Sequence, residues 1–581
     1  MKLLKYILVG IFLGGFVSAC NMLEPDLDNT YDQQRVKNDP SFAEGLLLQA
    51  YNSLPQGYTF EEVATDDAVS NDKNNDYLSM ATGSWSSMSN PMETWNTAYN
   101  VIGYLNNFLS VVDQIEWSWE SSRRNQLFRD RYKGEALALR AYFHFQVLMA
   151  HGGVDNSGKM LGIPYIKSRL DASKPAEWIL PRPEYKQTVF DICADLDEAI
   201  DLLPEEYANQ SGDDDYNRVN GVKHVNRVSG LIARAIKARV MMHAASPAYN
   251  SGVYNSEWCE IAAEESAYLI NHIGKVPALA SALKDPYFYD ANSDTKNKEV
   301  LWRRDYVQNI YNWEAENYPP SLFGNGRVNP SQNFVDAFPM KNGYPIGDEY
   351  ASLSGYDRTD PYINRDPRLE NYVLFNGAKI GSNQIFTCIS EGNIDGLENQ
   401  TNSTRTGYYL KKLMRPDVNL SPSAVTGQTH LRPLIRYTEI YLIYAEAANE
   451  MWGADADPKG YGFTPRSIIA GIRKRAKITS VGTGDAYLNT LDTEGLKQLI
   501  RNERRIELSF EGFRFWDMRR WGLNMDETIR GMKIVNNNGI YEYTVIDNVE
   551  NRVYQSFMQY GPIPFEQILK CNNILIQNKG W

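Results

Sequence analysis

Apolar side chains recur along much of this chain with the 3.6-residue period of an amphipathic helix. From Tyr437 to Met451 they fall at Tyr437, Ile440, Tyr441, Tyr444, Ala447, Ala448 and Met451, while Glu439, Glu446, Asn449 and Glu450 take the other side. The stretch from Tyr132 to His151 is apolar nearly all round after Glu135, the pattern of a helix buried on most sides, and Gly152-Gly153 supplies its stop. Further helices are predicted over Thr94 to Val112, Tyr185 to Leu203, Ser229 to Ala245 and Glu494 to Phe510. Pro204 ends one of them and Ser229 can cap another.

Alanines and tyrosines at packing positions, with helices paired through short joins, give the texture of tetratricopeptide-like (TPR-like) units, although no strict 34-residue period is present. Two long turn-rich regions, 52–91 and 275–430, are dense in Gly, Asn, Asp, Pro and aromatics. The expected fold is therefore mainly α: a TPR-like helix-pair scaffold with an irregular, loop-rich lobe and little β-structure. Long irregular segments on a rigid frame tend to carry function.

The first residues bear on compartment. Lys2 and Lys5 precede an uncharged run, Tyr6 to Ala19, whose 14 residues are too few for the roughly 20 that span a bilayer. Val17-Ser18-Ala19-Cys20 resembles the lipobox of bacterial lipoproteins, so residues 1–19 are expected to be a signal peptide, Cys20 the acylated N-terminus and 20–40 a tether. Acyl chains contribute roughly 0.8 kcal/mol per buried methylene, which makes a lipid anchor sufficient for membrane attachment. Glu24, Asp26 and Asp28 follow closely and look like the surface-export signal of Bacteroidetes lipoproteins. The formal net charge is −13, or −15 without Lys2 and Lys5, and no cluster of Lys and Arg is present. Nucleic-acid binding is disfavoured by that charge. Cys193, Cys259, Cys388 and Cys571 show no C-x-x-C spacing; isolated buried thiols are favoured over disulfides.

Several segments together resemble the SusD/RagB family, the surface lipoproteins of Bacteroidetes nutrient-uptake systems. RNERRIELSFEGFRFWDMRRWG, from Arg501 to Gly522, matches the family's ER-x-x-E-x-x-x-EG-x-R-x-x-D-x-x-RW signature. YTEIYLIYAEAANE from Tyr437, RDPRL from Arg365, PIP from Pro562 and the closing QNKGW support it. So do WNTAYNVIGYLNNFL from Trp95, ALALRAYFHFQVLMAHGGV from Ala136 and DLDEAIDLLP from Asp195. The resemblance implies an N-terminal region over 41–230 and a C-terminal region over 231–581, packed as one unit. It also implies display on the outer membrane and a SusC-like TonB-dependent transporter as partner. Glycan ligands are expected, or peptides as in the RagB-like branch; no catalysis and no cofactor are expected.

Glu503, Glu507 and Glu511 recur every four residues and would line one helix face, as a metal site or an acid/base pair would require. Neighbouring Arg504, Arg505, Arg514, Arg519 and Arg520 favour a structural ion-pair network instead, with Trp516 and Trp521 as core anchors. Asp455 to Arg466 begins like a calcium loop, but Arg466 stands where a bidentate Glu is needed. Asp66, Asp67, Asp72 and Asp76 are expected to be solvated loop acids rather than a calcium site. The six histidines show no metal-ligand spacing, and no nucleophile elbow or phosphate loop appears. Two carboxylates suffice for glycoside hydrolysis, so a surface-anchored hydrolase remains a third reading beside glycan and peptide binding.

A sugar-binding surface needs exposed flat aromatics ringed by amides and charges. Tyr77 and Trp85 sit among Asp72, Asn74, Asn75 and Asp76; Tyr287, Tyr289, Tyr311 and Trp313 accompany Asn309, Asn312 and Asn317. Trp85 and Trp313 are the first candidates for ligand platforms.

Overall fold

The computed structural model describes residues 33–171, 173–274, 299–304, 307–478 and 485–581. Cys20, Tyr287 and Tyr289 lie outside the described residues. The main helices are α1 (Pro40–Asn52), α2 (Trp95–Leu109), α3 (Ser122–His151), α4 (Tyr185–Leu202), α5 (Gly230–Ala245), α6 (Ser256–Ile273), α7 (Tyr437–Trp452), α8 (Pro465–Arg475), α9 (Thr493–Glu507), α10 (Arg514–Trp521) and α11 (Phe565–Lys570). Each of α1 to α8 packs on the next, and α9 also packs on α7. The chain leaves this array after α6, builds the irregular lobe, and returns as α7 against α6. The expected helical scaffold and loop-rich lobe are both present.

Local sequence accounts for the helix ends. The Ser229 side chain caps α5 by accepting from the Ile232 amide, as its position predicts. Thr464 and Ser467 form a capping box on α8, with Pro465 in its first turn. Helix α3 starts ten residues before the expected Tyr132, at a cap where Ser121 accepts from Arg124. Its first turns, SRRNQLFRDR, are mostly polar, so hydrophobic periodicity misses them. Helix α9 stops at Glu507 rather than Phe510, because Phe510 adopts φ 60°. Glu511 therefore lies beyond the helix whose face it was expected to share.

The β-structure is a set of short two-stranded ladders and one long hairpin. In the lobe, β1 (Val300–Arg303) pairs with β2 (Pro433–Arg436), which leads directly into α7. The hairpin joins β3 (Ile529–Asn537) to β4 (Ile540–Glu550) through Asn538 and Gly539, both at positive φ. An Asn-Gly pair between alternating residues is a hairpin signal that helical periodicity does not capture.

One apolar core runs through the helical array and takes in Ile563 and Leu575 from the C-terminal segment; a second core fills the lobe. Between them lies a buried ionic layer. Arg368 Nη1 donates to Glu503 at 2.7 Å and Glu507 at 3.0 Å, and Arg473 donates to Glu503 at 2.8 Å. Arg475 holds Glu507 at 2.6 Å, while Arg436 and Lys412 hold Glu511 at 2.7 Å each. Burial alone would raise these carboxyls, but the cations overcome it and lower all three, Glu507 to about 2. The glutamate row is thus an ion-pair network. Asp66 and Asp67 are not solvated loop acids: both are buried, Asp66 on Arg514 at 2.8 Å and Asp67 on Arg505 at 2.6 Å. The four described cysteines are free; Cys259 and Cys388 are buried, while Cys193 and Cys571 are half-buried.

Two predictions follow from this layer. Arg368→Met leaves two buried glutamates short of a cation and is expected to cost about 3–5 kcal/mol in urea unfolding; a loss under 1 kcal/mol would contradict the network's importance. The second concerns acid. Glu446 and Glu507 titrate near 2 in the fold against 4.5 in the reference state, so their stabilisation is present above 4.5 and lost as pH falls toward 2. Buried His144 and His243, pushed down to about 3, and His151, to about 4, add a loss that starts below 6.5, because the unfolded chain protonates first. Glu61, Glu62 and Asp67, raised by burial, act in the opposite sense but are outnumbered. The melting temperature should fall below about pH 6.5 and more steeply below about 4.5; a flat profile from pH 7 to 3 contradicts this balance.

Candidate functional site

A cavity of about 300 Å³ opens where the scaffold meets the lobe. Helices α3 and α5 supply one wall through Tyr142, Gln146, Met149 and Arg239. The lobe side carries Tyr58, Glu61, Tyr77, Arg432, Phe513 and Trp516. Aromatic faces on one side and charged groups around them make a surface suited to a ligand with apolar and hydroxylated faces.

Each lobe residue is held by identifiable local structure. The pairs Asp66–Arg514 and Asp67–Arg505 pin the loop that follows Tyr58 and Glu61 onto α9 and α10. The Arg432 guanidinium stacks over the Tyr58 ring at 4.0 Å. The Gly512 amide donates to Glu62 at 2.9 Å, and a Cβ on Gly512 would meet Glu61 Oε1 at 2.6 Å. Gly512 also has φ 88°, so both conformation and proximity require glycine there.

The electrostatics are uneven. Arg239 clamps Glu439 with two bonds of 2.6 Å. Asp517 is taken by Arg504 at 2.7 Å and Arg520 at 2.8 Å. Burial, opposed by Arg432, holds the Glu61 carboxyl above the usual range. Glu61 Oε2, Arg504 Nη1 and His243 Nε2 have no hydrogen-bond partner among the described residues. Buried polar atoms without protein partners are costly, and these three lie on the lining of one cavity. Among the described residues, no group of three or more His, Cys, Asp or Glu is placed to hold a metal ion.

The expected ligand platforms fare differently. Trp85 is 5% exposed, edge-on to Trp581 at 4.7 Å, with its indole N–H donating to Asn90. It is a core residue rather than an open platform, because the C-terminal Trp581 and Phe515 close over it. Trp313 is half-buried, stacked on Phe60 at 5.3 Å and 5.5 Å from Tyr58, so it backs the cavity wall instead of lining it. Tyr77 lines the cavity and Tyr311 is exposed beside Trp313. Sequence reasoning missed Tyr58, Glu61 and Arg432, and assigned Trp516 to the core. Trp521 is such an anchor, its indole N–H donating to Glu446 at 2.7 Å, but half-buried Trp516 faces the cavity.

A helical array carrying an irregular lobe, with a polar-aromatic cavity at their junction, defines a binding scaffold. Residues 289–581 match the family model described as the SusD family, and residues 32–213 match one described as starch-binding associating with outer membrane. The chain belongs to the SusD family. SusD-like protein P38 of Formosa agariphila is 23% identical over 88% of this chain and 90% of its own length. P25 of the same organism is 25% identical over 40% of this chain, and the match spans only 41% of that relative. A SusD-like carbohydrate binding protein from Bacteroides fragilis NCTC 9343 superposes with TM-score 0.67, at 20% identity over 93% of this chain and 99% of that one.

Gly512→Ala is expected to cost about 1–3 kcal/mol through backbone strain and to displace Glu61. Denaturant titration measures the first, and unchanged stability would contradict the contact.

Proposed function

We propose that this protein is a cell-surface lipoprotein that captures an oligo- or polysaccharide and passes it to a SusC-like TonB-dependent transporter, without cleaving it. The observation that carries this reading is the junction cavity, which Tyr58, Tyr77 and Trp516 line beside unpartnered polar atoms. Sugars present apolar C–H faces and hydroxyl rims, and such a wall matches both. The family membership, the carbohydrate binding named for the Bacteroides fragilis relative and the outer-membrane description of the N-terminal match support it. Cys20 is the proposed lipid attachment. Exposed Tyr311 is a proposed outer part of the aromatic surface, with Trp313 supporting Tyr58 from behind.

Isothermal titration against a panel of plant and host glycans, with a peptide panel alongside, tests the reading. Tyr58→Ala and Trp516→Ala should each weaken glycan binding about tenfold or more, near 1.4 kcal/mol, as buried aromatic anchors do. Trp85→Ala should instead lower stability by about 3–5 kcal/mol while the folded fraction binds normally. Binding of peptides alone would replace glycan with peptide uptake. Release of sugar products by the purified protein would refute the non-catalytic assignment.

A further inference from the structure

A second cleft, about 330 Å³, lies on the scaffold; it shares no lining residue with the junction cavity, although Thr94 of that cavity adjoins Trp95 of the cleft. One bank is the outward face of α2, where Asn96, Asn100, Gly103 and Asn107 fall at helical spacing. The other bank comes from the segment before α4 and carries Arg169 and Trp178, and Lys570 of α11 stands at the end. Tyr99 and Ile166 belong to the lining, with the Tyr99 hydroxyl tied to the Pro164 carbonyl at 2.7 Å.

Three independent features point to a ligand. Trp178 is 52% exposed, yet its indole N–H is fixed on the Asp171 carbonyl at 3.0 Å, so a flat apolar face is held open to solvent. Gly103 sits inside a helix, where glycine is unfavourable, and a Cβ there would meet nothing within 4 Å. Packing does not require this glycine; its bare backbone leaves open space in the cleft. Finally, among the described residues no Asp or Glu lines the cleft, although the protein carries a net charge of −13. Arg169 and Lys570 make it locally cationic, Lys570 being only loosely paired with exposed Glu566 at 3.5 Å.

We propose that this cleft is a second saccharide site and that it takes a short acidic sugar, one bearing a carboxylate or a sulfate. A sugar ring lies on Trp178, the asparagine row meets its hydroxyls, and Arg169 with Lys570 meets the anionic group. An aromatic face, amide groups and two cations, of which Lys570 is shared with exposed Glu566, are the chemistry such a ligand needs. The site extends the glycan reading, and the two can fail separately.

Isothermal titration of the purified protein with digalacturonic acid and with a galactose-6-sulfate disaccharide tests it, each distinguishing one source of the anionic group. At least one probe should bind, with affinity falling as salt rises. Trp178→Ala and Gly103→Phe, which fills the open space, should each reduce that affinity tenfold or more. Arg169→Ala should weaken it and flatten the salt dependence, whereas Trp516→Ala in the junction cavity should leave it unchanged. The proposal is overturned if neither probe binds, if Trp178→Ala and Gly103→Phe bind like the parent, or if Trp516→Ala abolishes the binding.

Discussion

The burial of Glu503, Glu507 and Glu511 among Arg368, Arg473, Arg475, Arg436 and Lys412 is the constraint on which the rest of this molecule depends. Several kcal/mol per ion would be lost if any of these charges were left unpaired away from water. Their partners come from separate parts of the chain: Arg368 and Lys412 from the lobe, Arg436 from the strand entering α7, and Arg473 and Arg475 from α8. A planar guanidinium satisfies a carboxylate in few orientations. The network therefore fixes how the lobe docks, where apolar contacts alone would permit sliding.

That docking determines the cavity. Arg505 and Arg514, flanking the end of α9, reach the other way to Asp67 and Asp66 and hold the loop that carries Tyr58, Glu61 and Tyr77 against the scaffold. Beyond them, Arg520 and Trp521 lock onto Glu446 of α7 at 2.6 and 2.7 Å. The short segment from Glu503 to Trp521 thus faces two directions, towards the ionic layer on one side and the cavity through Phe513 and Trp516 on the other. Arg140 with Asp195, and Asn578 with the His151 and Gly561 carbonyls, brace α3 to α4 and to the C-terminal segment in the same manner.

These braces explain what was legible in the chain beforehand. Residues in the family signature are mostly struts, so Arg368, Glu503, Asp517, Arg520 and Trp521 carry the resemblance and predict the fold. Periodicity locates α2, α4, α5 and α7 because each buries one face or nearly all of its surface. The ligand surface is a different matter. Trp85 and Tyr77 lie in the same loop with similar neighbours, and the arrival of Phe515 and Trp581, more than four hundred residues later, buries one and leaves the other on the cavity. Trp516 sits within a segment of struts, and nothing in its local spacing separates it from Trp521. The buried state of Asp66 and Asp67 likewise depends on arginines more than four hundred residues away.

The same electrostatics bear on whether the cavity holds or cuts its ligand. Glycoside hydrolysis needs two carboxyl groups across the scissile bond, one able to donate a proton and one free to act as base or nucleophile. Glu61, raised by burial, has the character of the first. The candidates for the second are engaged: Glu439 by Arg239, Glu511 by Arg436 and Lys412, and Asp517 by Arg504 and Arg520. Glu93 accepts from the Asn96 amide at the start of α2. A carboxylate clamped by guanidinium groups is a weak base and a poor nucleophile, since its lone pairs are already committed to charged donors. The ion pairs that fix the lobe thus also commit Glu439, Glu511 and Asp517 on the cavity lining to structural partners, while Glu93 is held by a backbone amide alone.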